Sequence, residues 1–95
     1  MISALPGIRA DARDTVFTAT RALCPGERLE VAGGRLEVRD SVPAWHKVAL
    51  TEMAPGEAVV KFGRSIGIAL RAIHPGEHVH SHNLATAQGK GERGR

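Results

Sequence analysis

The sequence predicts a mainly β domain of short strands and many corners, with no helix longer than a single turn. Three observations carry this. Pro-Gly-Glu occurs three times, at residues 25–27, 55–57 and 75–77. Eleven Gly and five Pro in 95 residues are more punctuation than a helical bundle tolerates. The apolar residues fall in short runs between turn signals, and none keeps helical spacing for long.

Each Pro-Gly-Glu sits in one frame. Leu23, Met53 and Ile73 lie two before the Pro, and Leu29, Val59 and Val79 lie two after the Glu. Pro fixes φ at the second position of a turn, and Gly supplies positive φ at the third, as a type II turn demands. Unequal spacing of the copies argues against a solenoid and for one device reused at several corners. Strands are expected over residues 15–20, 29–31, 36–38, 45–50, 58–62, 65–70 and 77–82. Gly33-Gly34 and Gly63-Arg64 are read as tight connections. Residues 51–54 are read as one helical turn capped by Thr51. Residues 1–13 are expected to be a poorly ordered lead-in, residues 14–85 the domain, and residues 86–95 a disordered basic tail.

Composition excludes several functions. The formal charge is +3, but Lys90, Arg93 and Arg95, with Glu92, belong to the tail. Without them ten basic and nine acidic side chains remain, so nucleic-acid binding is not expected. Phe17, Trp45 and Phe62 are too few aromatics for a base-stacking platform. No apolar run reaches the roughly 20 residues of a spanning helix, and a secretory pattern is not evident, so a cytoplasmic, membrane-free location is expected. A single Cys rules out an internal disulfide framework, and Cys24 is read as inert. There is no phosphate loop and no nucleophile elbow.

The histidines are the chemical signal. On a strand, His78, His80 and His82 share one face, with neighbours roughly 7 Å apart and the outer pair roughly 13 Å. Adjacent members suit a Zn, Fe or Mn half-site, and imidazole suits acid–base work near neutral pH. The same face also fits a solvated polar edge. No Asp/Glu cluster is evident beside the histidines, so a catalytic site is expected to need groups from another polypeptide.

The segments His46-Lys47-Val48-Ala49-Leu50, Met53-Ala54-Pro55-Gly56-Glu57, Val60-Lys61-Phe62-Gly63 and the run from Gly76 to Asn83 resemble the small N-terminal SAF-type domain of the altronate/galactarate dehydratase family. The same domain occurs as a separate small subunit in split enzymes such as sulfolactate sulfo-lyase. The resemblance implies a β-clip fold. It implies a small subunit or accessory domain of a metal-dependent sugar-acid dehydratase (a hydro-lyase), inactive alone and partnered by a large catalytic subunit. It implies a divalent metal, Fe or Mn ahead of Zn, shared with that subunit. By this resemblance His80 and His82 are expected to contact metal, and His46, Lys47, His78 and Asn83 a sugar-acid substrate. The alternative is a free-standing binding module for a small carboxylate or metal ion without turnover.

Overall fold

The computed structural model describes residues 2–4, 6–8, 11–31 and 34–86. Ten short strands run in chain order: β1 Ile2–Ala4, β2 Gly7–Ile8, β3 Val16–Ala19, β4 Arg28–Val31, β5 Gly34–Glu37, β6 Lys47–Ala49, β7 Ala58–Lys61, β8 Arg64–Ala69, β9 His78–Val79 and β10 Leu84–Thr86. They form three small sheets, ordered β1-β4-β5, β10-β8-β7 and β2-β3-β6-β9. All pairs are antiparallel except β1 with β4. No helix occurs among the described residues, so none is long and apolar enough to cross a membrane.

The Pro-Gly-Glu corners adopt the expected conformation. Gly26, Gly56 and Gly76 have φ of 93°, 84° and 90°. The N–H groups of Glu27, Glu57 and Glu77 donate to the carbonyls of Cys24, Ala54 and His74 at 3.2, 3.0 and 3.1 Å. That is the closing bond of a four-residue turn.

A fourth corner carries no Pro-Gly-Glu. The His46 N–H donates to the Pro43 carbonyl at 3.2 Å, and Trp45 takes the glycine slot with φ of 70°. This corner reveals an internal duplication of residues 16–48 and 46–79. Leu23 and Val42 exchange backbone hydrogen bonds of 2.8 and 2.9 Å, and Met53 and Ile73 do the same at 2.9 Å. Gly26 N–H donates to Val38 and Gly56 N–H to Ala69, both at 2.7 Å. Trp45 N–H donates to Ala19 at 2.7 Å and Gly76 N–H to Ala49 at 2.9 Å. Trp45 is therefore the counterpart of Gly76, and His46 that of Glu77.

Each unit has its own core. Phe17, Leu23, Leu29 and Val42 are buried in one, and Val16, Met53, Val59 and Ile73 in the other. β3 and β6 run between them. Val16 faces one core and Phe17 the other, and Ala49 and Val48 divide in the same way. These strands therefore bury side chains on both faces rather than on alternate residues. Burial of each large side chain here stabilises the fold by about 1.5–3 kcal/mol.

Several sequence expectations are corrected. The stretch read as an unordered lead-in contains β1 and β2, which pair with β4 and β3. Just after this stretch, the buried Asp14 accepts the Gly63 N–H at 2.7 Å from the β7–β8 connection. That connection turns on Phe62 and Gly63, both at positive φ, rather than on Gly63-Arg64. Residues 51–54 form no helical turn, because Met53 spends both backbone groups on Ile73. The strand expected over 45–50 begins only at Lys47, since Trp45 and His46 form the fourth corner. Gly33 and residues 87–95, including most of the expected tail, lie outside the described residues, while Thr86 belongs to β10.

Candidate imidazole site

The strand of alternating histidines is two residues long. β9 holds His78 and Val79, and residues 80–83 form a turn. Asn83 makes that turn. Its Oδ1 accepts the His80 N–H and its Nδ2 donates to the His78 carbonyl, both at 2.9 Å. The backbone N–H groups of Asn83 and Leu84 donate to the His80 carbonyl at 3.0 and 2.9 Å. Asn83 is 1% exposed, with both ends of its amide occupied. It shapes the turn from beneath, with its amide committed to the backbone of His78 and His80.

The turn brings the rings together rather than lining them along an edge. β9 pairs with β6, and Val48 stands opposite His78. His46, at the corner before β6, thereby reaches the same place. His46 Nδ1 and His78 Nε2 share a hydrogen bond of 2.9 Å. The His46 ring stacks on His80 at 4.4 Å between centroids and on His78 at 5.1 Å. His78 and His80 lie 5.6 Å apart at 11°. His82 lies against His78, at 5.4 Å and a tilt of 39°.

One ring nitrogen each from His46, His78 and His80 lies within 4.8 Å of the other two. A tetrahedral ion with bonds of about 2 Å needs ligand atoms about 3.3 Å apart, so small ring rotations bring this set into range. Three imidazoles suit divalent Zn, Fe and Mn. The residues present therefore fit a metal, but the convergent set is His46, His78 and His80, not the expected His80 and His82. A straight strand would have kept its outer rings too far apart, and the turn removes that limit.

The surroundings tune His78. Its backbone N–H donates to Asp40 Oδ2 at 2.9 Å, which fixes the edge of β9. Burial pushes its pKa below the ordinary value, and the nearby imidazoles of His46, His82 and His80 add to this, against an opposing pull from Asp40. A neutral ring is the form that ligates metal or accepts a proton. Lys47 stands apart from this chemistry. Its pKa is lowered by burial and by Lys61, and it does not line the adjoining cleft.

That cleft is open, about 440 Å³, and lined by Asp40, Arg71, Ala72, His74, Glu77, His78 and His82. Asp40 and Arg71 are absent from the sequence reading, and Glu77 enters it only as a turn residue. The duplication was the available signal, because it aligns Asp40 with Arg71 and His46 with Glu77.

These features define a small strand-rich domain that gathers imidazoles where two duplicated units join. The chain belongs to the altronate/galactarate dehydratase SAF-domain family, whose pattern matches residues 6–87. It is 39% identical over 79 residues to altronate dehydratase of Bacillus subtilis (strain 168), covering 83% of this chain and 16% of that protein. Altronate dehydratase of Escherichia coli (strain K12) is 40% identical over the same length and coverage. The (2R)-sulfolactate sulfo-lyase subunit alpha of Chromohalobacter salexigens is 42% identical over 52 residues, 55% of each chain. The chain thus spans 16% of the length of the altronate dehydratases it matches.

Proposed function

We propose that this domain serves a metal-dependent sugar-acid dehydratase or a related lyase in the cytosol, together with a larger polypeptide that holds the rest of the catalytic machinery. The observation that carries this is the convergence of His46, His78 and His80 nitrogens within 4.8 Å. It occurs in a chain whose relatives are named as a dehydratase and a sulfo-lyase subunit. His46, His78 and His80 would hold a divalent ion, which supplies Lewis-acid polarisation of a hydroxy acid's oxygen atoms. His78, its pKa lowered by burial, stays neutral near pH 7 and is available as ligand or proton acceptor. The exposed His82, against the His78 ring, can pass a proton to water. Elimination also needs a group at the opposite face of the substrate, and the larger polypeptide is its proposed source.

All three ligands come from this one chain, which favours a second reading: metal or carboxylate capture without turnover. Co-expression with a dehydratase-type large chain from the same cells separates the two. The expected result is a stable complex that turns over a sugar acid only when both chains are present. A His46→Ala/His80→Ala double variant should still co-purify but lose activity by about 100-fold or more. Full turnover by the large chain alone, or with the double variant, would overturn the proposal.

A further inference from the structure

The three Pro-Gly-Glu corners share a backbone and differ in one carboxylate. Glu27 turns back to accept the Cys24 N–H at 2.7 Å, and Glu57 accepts the Ala54 N–H at 2.8 Å. Among the described residues Glu77 makes no such bond, and it lines the cleft beside His78. The third copy has released its glutamate from the structural task that the other two perform.

Arg71 is the second departure. It occupies the place that Asp40 holds in the first unit, and both line the same cleft. Arg13 and Arg21 are each held by a carboxylate, at 2.8 and 2.9 Å. Arg71 has no ion pair or hydrogen bond among the described residues. Asp40 has one oxygen committed to the His78 N–H.

A guanidinium offers a planar pair of donors that matches a carboxylate. The carboxylates of Glu77 and Asp40 repel a bare anion but accept hydrogen bonds from hydroxyl groups. Together they select a molecule that carries both functions, and about 440 Å³ lies within the range of small-ligand sites. We propose that this cleft binds a polyhydroxylated carboxylate, with Arg71 receiving the carboxylate and Glu77 accepting hydroxyls beside His78. The assignment rests on the lyase reading for the class of acid, while the site itself lies wholly within this chain.

The test is an NMR titration of the full 95-residue chain with galactarate and with adipate, the six-carbon diacid that lacks hydroxyls. Galactarate should shift resonances lining the cleft. Arg71→Gln should weaken both acids by about tenfold or more, and Arg71→Lys should restore part of the loss. Glu77→Gln should weaken galactarate and spare adipate. Zinc binding by the histidines should persist in each variant, which shows that the cluster is intact. Absence of galactarate shifts in the wild-type chain, or equal affinity in Arg71→Gln, would overturn the assignment. A chain that binds galactarate through Arg71 but supports no lyase turnover keeps this site and removes the lyase reading. Lyase turnover undiminished by Arg71→Gln does the reverse.

Discussion

Residues 16–48 and residues 46–79 trace the same path, yet their last corners are filled by different chemistry. The first unit ends on Trp45, His46 and Lys47, and the second on Gly76, Glu77 and His78. Lys47 and His78 occupy equivalent places in their units but not in the sheet. Lys47 lies on β6, flanked by β3 and β9, whereas His78 lies on the edge strand, where Asp40 takes up its N–H. The difference teaches that a duplicated scaffold supplies position cheaply and leaves individual slots free for chemistry. It also explains why the imidazoles meet at the joint, because His46 closes one unit and His78 closes the next.

The largest expected effect breaks the likeness of the corners. A Cβ at Gly76 would run into the Glu37 carbonyl, whereas one at Gly56 meets nothing within 4 Å. Both glycines have positive φ. Gly76→Val should therefore cost about 3 kcal/mol or more, and Gly56→Val about 1–2 kcal/mol from backbone strain alone. Urea denaturation measures both, and equal losses would contradict the difference.

Asn83→Ala comes next. It removes two hydrogen bonds that hold the residue 80–83 turn and should cost about 2 kcal/mol. It should also loosen His80 from His46, seen as weaker zinc binding. Unchanged metal affinity in that variant would show that the turn does not set the cluster.

A smaller effect of opposite sign is expected at Trp45. This side chain is 66% exposed and holds φ of 70°, a strained conformation for a bulky residue. Trp45→Gly makes the first unit's corner like the second's and should raise stability by about 1 kcal/mol. A loss of stability would mean that the indole packs to an advantage greater than its strain.

The smallest effect is in pH. Burial holds the His78 pKa below 6.5 in the folded chain, so the unfolded chain binds more protons in the window between the two values. The stabilising contribution is complete above about pH 6.5 and is lost as pH falls through the folded value. Wild-type stability should fall more between about pH 7 and pH 5 than that of His78→Gln. Identical pH profiles would contradict the assignment of the shift to this ring.

The corners were legible because Pro-Gly-Glu encodes a turn in covalent terms. The fourth corner was not, since Trp in a positive-φ slot violates the local rule that a reader relies on. The alternation rule failed at β3 and β6 because these strands divide their side chains between two cores. At the site, the run of His78, His80 and His82 stood out by residue type, and His46 entered only through the family resemblance. The convergence of His46, His78 and His80 was not legible, because it depends on the buried Asn83 ending β9 early. Asp40 lies more than 30 residues before Arg71 and Glu77, and only the closure of the two units brings it to their cleft.

Titration of the full chain with cobalt(II), followed by visible absorption, tests the imidazole cluster most directly. One ion should bind per chain with the d–d bands of a nitrogen-ligated site. Those bands should vanish in His46→Ala, His78→Ala and His80→Ala and survive in His74→Ala, whose ring pairs with Glu52 at 2.8 Å. No cobalt bands in the wild-type chain, or bands undisturbed by His46→Ala, would contradict the account.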